Sequence, residues 1–417
     1  MSLYTYKTNV KLNSFPTPFI HYKGITGHSP SLIIEYKDGV LSLRHIDQSF
    51  ELNMDAHAAL DFLSDLASKL TKPEFDNDPP AGDFQYGLMG FFSFEFGLKL
   101  LNIKVKQENP GCSDFYFMLP TKFESGKHVY SVTTEKPLRD VPNPELINQK
   151  APSEVKANMS NKQYGKKLEK VRQYLEEGET YQVNFAQEFR TESKKLPLDV
   201  FNQLHETNPS PHDAILSTAN FSVISNSPEC LYKKVGNKIS TFPIKGTAKK
   251  EDGTEALLAS KKEKAELEMI VDLERNDLGR IAKTGTVNVS NHRYIESYKN
   301  VHHTVSQIDA ELSEETTFAQ IIEALFPGGS ITGCPKKRTS EIIHKLEPSP
   351  RGSYCGSLGM IDINGNSEFN ILIRTIWMQG NLASFHSGGG ITIQSIADNE
   401  YEETLAKAKN LNKVLSE

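Results

Sequence analysis

Apolar residues recur along this chain with two periods, and the periods change in blocks. Before residue 134, SLIIEYKDGVLSLRHI (31–46) and HVYSVTT (128–134) alternate as strands separated by turn residues. LDFLSDLASKL (60–70) instead spaces its apolar positions along one face of a helix. From Thr134 to Asn161 the pattern lapses, and Pro137, Pro142, Pro144 and Pro152 interrupt a polar stretch that predicts a linker. Beyond it, Tyr164, Leu168, Val171 and Leu175 predict a helix capped by Ser160 and ended near Gly178. YQVNFAQEF then predicts a strand with Tyr181, Val183 and Phe185 on one face and Gln182 and Asn184 on the other. GSLGMIDI (356–363), FNILIRTIWM (369–378) and LASFHS (382–387) read as further strands. Hairpins with helices between their runs predict an α+β fold rather than a doubly wound sheet. The expected organisation is an N-terminal region (1–133), a linker (134–161) and a catalytic domain (162–417).

Two helical stripes carry charge where apolar residues belong. Winding EKAELEMIVDLERNDL (263–278) at 100° per residue puts Leu267, Ile270, Val271, Leu273 and Leu278 on one stripe together with Glu263 and Glu266, while Glu268 and Asp272 face away. Near the C-terminus, Thr404, Ala408, Leu411, Val414 and Leu415 form a stripe that includes Glu400, Glu403 and Lys407, with Asn399 and Glu402 as an expected capping box. Each helix thus points an i,i+3 carboxylate pair inward, where unpaired charge is costly. A hard cation such as Mg²⁺ answers that need; so do lysines and arginines, or water at the stripe edges, and periodicity alone does not choose.

Composition narrows the classes. With 417 residues, 37% hydrophobic and 24% charged, the chain can bury a large core. A net charge of −6 with interspersed signs gives no nucleic-acid surface. No run approaches the ~18–20 apolar residues of a membrane span, and the N-terminus lacks an apolar leader segment, so a cytoplasmic location is expected. Cys112, Cys230, Cys334 and Cys355 have no CxxC spacing and read as reduced thiols. FPGGSITGCPKK (326–337) lacks the Lys-Ser/Thr of a P-loop, and the SGGG run (387–390) lacks GxGxxG spacing. Both could offer backbone N–H groups to a carboxylate or be tight turns needing positive φ. Arg374 and Tyr354, within apolar strands, could grip a carboxylate or form a structural ion pair. Lys245, in PIKGT (243–247), is a surface lysine by default, but a desolvated lysine there could attack carbon.

Taken together, the motifs resemble the chorismate-utilising enzymes. The resemblance rests on SPE (227–229), PIKGT (243–247), MIVDLERNDLGR (269–280), VHHTVS (301–306), FPGGSITGCPK (326–336), RGSYCGSLG (351–359), IRT (373–375), GGGI (388–391) and EYEETLAKA (400–408), and more loosely on YGLMGFFSFE (86–95) and DFYFMLP (114–120). It implies a large antiparallel two-sheet sandwich with outer helices and a site in the cleft between the sheets. PIKGT is similar to the aminodeoxychorismate synthase branch, where anthranilate synthases resemble PIAGT. The resemblance therefore implies amination of chorismate at C4, with Lys245 as nucleophile at C2 and Glu229 as the acid for the departing hydroxyl. It assigns Mg²⁺ to Glu266 and Glu403 with Glu263 and Glu400 nearby, and the enolpyruvyl carboxylate to Tyr354 and Arg374. Gly246, Thr247, His303, Gly388, Gly389, Gly390 and Lys407 would line the substrate, the role of His303 being open. No cysteine sits in a nucleophile elbow, so ammonia would come from a separate glutamine amidotransferase subunit. The alternatives are anthranilate synthase, the water-using isochorismate and salicylate synthases, and a non-catalytic chorismate-binding protein.

Overall fold

In the computed structural model, residues 17–45, 48–77, 86–106, 111–125, 128–134, 136–138 and 154–416 are described; residues 135 and 139–153 of the expected linker, with Pro142, Pro144 and Pro152, lie outside the described residues. The KDG sequence folds as a two-residue hairpin turn, Asp38 and Gly39 both at positive φ (54° and 83°), joining the long strand Ile25–Lys37 to Val40–His45. That long strand bends at Ser29 (φ 52°), where its register against Phe115–Ser125 also skips between Pro30 and Leu32. Its first part pairs with Phe19–Tyr22 and its last part with Val40–His45, so two antiparallel arms diverge from it.

One arm runs from Phe115–Ser125 through Gly87–Phe92, Ser357–Asp362, Ser367–Asn370, Cys230–Val235 and Lys238–Thr241 to Val301–Glu311. The other runs from Phe19–Tyr22 through His212–Ser217, Ser222–Ser227, Thr375–Gln379 and Leu382–Ile391 to Gln182–Glu192. Every pairing between these strands is antiparallel, and among the described residues the two expected sheets are joined in one network of 21 strands. The inner faces meet through aromatic side chains: Phe91 on one arm packs 5.8 Å from Phe221 beside the other, and Phe221 stacks on Trp377 at 4.5 Å. On the second arm, Leu216 and Val223 face this main core, while Ile215 and Ile224 face a smaller one with Phe201, Leu204, Leu411 and Val414 of the outer helices.

At two places side by side a strand of one arm leads by a short link into a strand of the other. Ser227 to Cys230 is one crossing and Asn370 to Thr375 the other, so FNILIRTIWM is two strands rather than one. The crossings are tied together: Ser227 Oγ donates to the Ile371 carbonyl (2.5 Å), Ile371 N–H to the Glu229 carbonyl (2.9 Å) and Asn226 N–H to the Arg374 carbonyl (3.1 Å). Among the helices, Asn161–Glu176 carries the Ser160–Gln163 capping box, and Gly178 follows it at φ 72°. The C-terminal helix Ala397–Ser416 begins two residues before Asn399, so the expected Asn399–Glu402 box is replaced by first-turn bonding of Glu400 N–H to the Ile396 carbonyl (3.0 Å). Among the described residues, no helix is long and apolar enough to cross a membrane.

Candidate active site

Lys245 lies on strand Ile244–Lys249, laid against Val301–Glu311, where the ladder skips a residue between Lys245 and Thr247. Gly246 makes that bulge at φ 81°, and a Cβ there would lie 2.7 Å from Leu257 Cδ1 and 3.3 Å from Glu263 Oε2. Thr304 Oγ1 donates to the Lys245 carbonyl and holds the bulge. Desolvation pushes the Lys245 amine below its ordinary range; Glu266, Glu229 and Glu263 oppose that shift, and Lys407 reinforces it. The side chain therefore stands among three carboxylates and a second ammonium, partly exposed to the cleft.

The crossings carry Glu229 and Arg374. Glu229 is 5% exposed and its Oε1 has no hydrogen-bond partner among the described residues. Burial raises its pKa, against the opposing influence of the Ser330 hydroxyl, Lys245, the Ile244 N–H and Arg374. Arg374 sits at φ 50° in the Ile371–Arg374 link, outside the strand in which the sequence places it, because the chain changes arms there. His303, on Val301–Glu311, shares a 2.9 Å hydrogen bond between Nδ1 and Thr247 Oγ1, and its buried Nε2 has no hydrogen-bond partner among the described residues. Burial and Arg374 push its pKa down to about 4, so the ring is neutral near pH 7 and can accept or donate a hydrogen bond but carries no charge.

Tyr354 is likewise not in a strand; it lies in the turn between helix Lys336–Leu346 and strand Ser357–Asp362. Its ring stacks on His386 at 5.3 Å and sits 5.4 Å from the Arg351 guanidinium. Arg351 is clamped in turn by Glu347 (2.7 and 2.8 Å) and by the carbonyls of Ile331 (3.1 Å) and Asn184 (2.6 Å). Glu95 accepts from the backbone N–H groups of Arg351 and Gly352, each at 2.8 Å. Glu95, Glu347 and Arg351 are supports that sequence reasoning missed. Glu95 stands 256 residues from its partner, although a carboxylate inside the apolar run GFFSFEFGL was a usable signal.

Beyond Lys245 stand the four carboxylates of the two charged helices. Glu266 feels Glu263 and Glu403 as like charges and Lys245 and Lys262 as opposite ones, with burial the largest influence and its pKa raised. Glu400 is buried, but Glu403 and Lys407 are 48% and 52% exposed and pair at 2.6 Å. They occupy the solvent-facing edge of the helix stripe rather than its interior. Gly388, Gly389 and Gly390 are strand residues, none at positive φ, and not the turn expected. Their reason is close approach. A Cβ at Gly388 would lie 2.4 Å from the Phe185 carbonyl, at Gly390 2.6 Å from Gln182 Nε2, and at Gly389 3.3 Å from Glu403 and 3.5 Å from Glu400. Lys407 Nζ donates to the Gly388 carbonyl at 3.0 Å.

This oxygen-only donor set, partly wet and mutually repelling, suits a hard dication that takes one or two carboxylates and fills its shell with water and substrate oxygen. Among the described residues, the group of three ligating atoms lying within 4.8 Å of one another is instead His212, Cys230 and Glu368. There Lys23 (2.5 Å) and Lys233 (3.9 Å) already neutralise Glu368, so that cluster calls for no cation. A cavity of about 690 Å³ opens between helix Lys261–Gly279 and Cys334–Lys337, and none of its lining residues belongs to the site described here.

Residues 26–413 match the family model described as chorismate binding enzyme. The chain is 33% identical over 422 residues to aminodeoxychorismate synthase component 1 of Bacillus subtilis (strain 168), covering 94% of this chain and 88% of that one. It is 30% identical over 443 residues to anthranilate synthase component 1 of Lactococcus lactis subsp. lactis (strain IL1403), covering 98% and 94%. The crystal structure of anthranilate synthase component I from Streptococcus pneumoniae TIGR4 superposes with a TM-score of 0.79 at 27% identity, covering 98% of this chain and 95% of that one.

Proposed function

The chain belongs to the chorismate-binding enzyme family, and from that premise we propose that it aminates chorismate at C4 to give 4-amino-4-deoxychorismate, the precursor of 4-aminobenzoate for folate. The observation that carries this reading is the placing of Lys245, a desolvated amine within electrostatic reach of the buried acid Glu229 at one side and Glu266 at the other. A neutral amine in such a setting is a nucleophile. Lys245 attacks ring C2, the two ring double bonds shift, and the C4–O bond breaks. Glu229 gives its proton to the departing hydroxyl, which leaves as water. Ammonia then bonds to C4, the double bonds shift back, and the lysine nitrogen leaves C2. The proton shed by the new amine returns to Glu229, so acid and nucleophile end as they began.

The remaining residues bind and orient. Arg374 and the Tyr354 hydroxyl grip the enolpyruvyl carboxylate, and neutral His303 offers Nε2 to a ring substituent as a hydrogen-bond partner. Gly246 and Thr247 shape the floor, and Gly388–Gly390 allow the ring to approach backbone on the other side. Mg²⁺, held by Glu266 and Glu403 with Glu263 and Glu400 beside them, would supply the positive charge that binds the ring carboxylate of chorismate. Lys407 adds a second positive charge at that end. Ammonia would be delivered by a separate glutamine amidotransferase subunit in a cytoplasmic heterodimer.

A second reading, amination at C2 to give anthranilate, draws on the similarity to the Lactococcus lactis protein. Incubating the protein with chorismate, an ammonium salt and Mg²⁺ and identifying the product by chromatography with mass detection decides between them. Aminodeoxychorismate with its enolpyruvyl group intact is the expected product. Anthranilate with pyruvate would replace the C4 reading by the second one, and isochorismate or salicylate would replace both by the water-using branch.

A further inference from the structure

Helix Phe94–Leu100 begins against the turn that carries Tyr354, and its first residues hold that turn by three hydrogen bonds. Phe94 N–H donates to the Gly352 carbonyl at 2.8 Å. The two carboxyl oxygens of Glu95 accept one N–H each, Oε1 from Arg351 and Oε2 from Gly352, both at 2.8 Å. The turn needs such a hold, because Gly352 and Cys355 both lie in the left-handed region (φ 57° and 62°) and only the first is a glycine. Within it, Tyr354 N–H reaches back to the Arg351 carbonyl (3.0 Å) and Gly356 N–H to the Ser353 carbonyl (2.9 Å). Its far end is tied to the second crossing, where Cys355 N–H donates to the Leu372 carbonyl (2.8 Å). Tyr354 thus stands between two anchors, Glu95 before it and the link that carries Arg374 after it.

The charges nearby leave Glu95 to its backbone partners. The Arg351 guanidinium lies 4.6 Å from the centre of the Phe94 ring and 5.4 Å from that of Tyr354, but its charge is answered by Glu347. Lys99, on the same helix as Glu95, pairs with Asp114 at 2.8 Å, and Asp114 acts on Glu95 as a like charge. The buried Cys112 thiol, pushed up by its own burial and then by Glu95, stays protonated and adds no charge. Glu95 is 6% exposed and has no ion-pair partner among the described residues.

We propose that Glu95 is a positioning residue for substrate binding: its carboxylate fixes the Arg351–Gly352 backbone and so sets Tyr354 against the enolpyruvyl carboxylate. This rests on the role given to Tyr354 above, and Glu95 acts through that turn without touching substrate. Such a role has a signature that packing alone lacks. An ionised carboxyl accepts from both N–H groups, whereas a protonated one turns an oxygen into a donor and keeps a single full acceptor for the two. Burial, opposed by the Arg351 and Gly352 N–H groups and reinforced by Asp114, brings Glu95 up to about 7. The hold is therefore complete above that pH and weakens as pH falls through it, so chorismate should bind less tightly on the acid side. By linkage, binding should draw Glu95 toward its ionised form and release protons near pH 7.

Chorismate binding to the full chain, with Mg²⁺ and without ammonia, tests this by calorimetry at pH 6, 7 and 8 in buffers of different ionisation enthalpy, for the parent, E95Q and Y354F. The parent should bind about tenfold more weakly at pH 6 than at pH 8 and release protons at pH 7. E95Q, which copies the protonated acid, should bind at pH 8 as weakly as the parent does at pH 6, with little further change on acidification and less proton release. A parent whose affinity does not change between pH 6 and 8 overturns the proposal. So does an E95Q that is weaker at every pH yet keeps the parent's slope and proton release, since that is a merely structural role. Y354F should weaken binding at pH 8 about tenfold. A weakened Y354F beside an E95Q that binds like the parent overturns the inference alone, whereas a Y354F that binds like the parent overturns the role of Tyr354 and the inference with it. Because binding is read without ammonia, the position of amination does not enter the result.

Discussion

Glu266 and Glu229 are both glutamates whose burial raises their pKa and that both act on Lys245, yet they stand in opposite company. Around Glu266 the sequence puts three more carboxylates and two lysines on two helices, with Glu403 and Lys407 open to solvent. Around Glu229 it puts backbone crossings and leaves one oxygen without a partner among the described residues. The wet end, with Glu403 and Lys407 half exposed, can exchange partners, which suits the capture of a cation and a substrate carboxylate. At the dry end burial favours the protonated carboxyl, which suits the acid role proposed for Glu229. Lys245 spans the two, and feels both Glu266 and Glu229.

Substitutions separate the ends in order of effect. K245A should lower amination on the order of 10⁴-fold or more, with chorismate binding retained by calorimetry; full activity would end the covalent route. E229Q should cost about 10²–10⁴-fold in kcat, and extra Mg²⁺ should recover none of it. E266Q or E403Q should raise the Mg²⁺ concentration needed for half-maximal rate about 10–100-fold, with rate recovered at saturation. If Mg²⁺ rescues E229Q equally, the division into two ends fails.

The smallest effect is on stability. Glu274, buried on helix Lys261–Gly279, titrates at about 8 in the fold against an ordinary 4.5, so between those values the fold holds a proton that the unfolded chain has released. Stability should therefore fall as pH rises from about 4.5 to about 8, and E274Q, which cannot ionise, should escape that fall. Its gain over the parent in thermal melts should be near zero at pH 4.5 and grow to on the order of a few kcal/mol by pH 8. A gain constant with pH would assign the effect to packing.

What the sequence disclosed depended on the range of the interaction. The stripe Leu267, Ile270, Val271, Leu273 and Leu278 is buried as its period predicts, because a helix face is a local property. Glu263 and Glu266 follow it into the cleft, and Glu268 and Asp272 are exposed as expected. The strand break at Ile371–Arg374 was not legible, since an unbroken apolar run reads as one strand and only the topology says that it changes arms. The Gly388–Gly390 run pointed to a turn, because glycine marks positive φ and close approach alike. Glu274 was hidden inside the MIVDLERNDLGR motif, where its burial depends on the Gly329–Ile331 turn more than fifty residues away.

The tied crossings have a consequence for redesign. Glu229 and Arg374 are mounted on two strands of backbone that hydrogen-bond to each other, so acid and guanidinium share one rigid jig whose spacing the main chain sets. An engineer who replaces Lys245, Glu266 or Glu403 alters side chains around the proposed site without touching that jig. New chemistry on the same ring can thus be sought by exchanging side chains around a fixed gauge, whereas an insertion in either crossing would change the gauge itself.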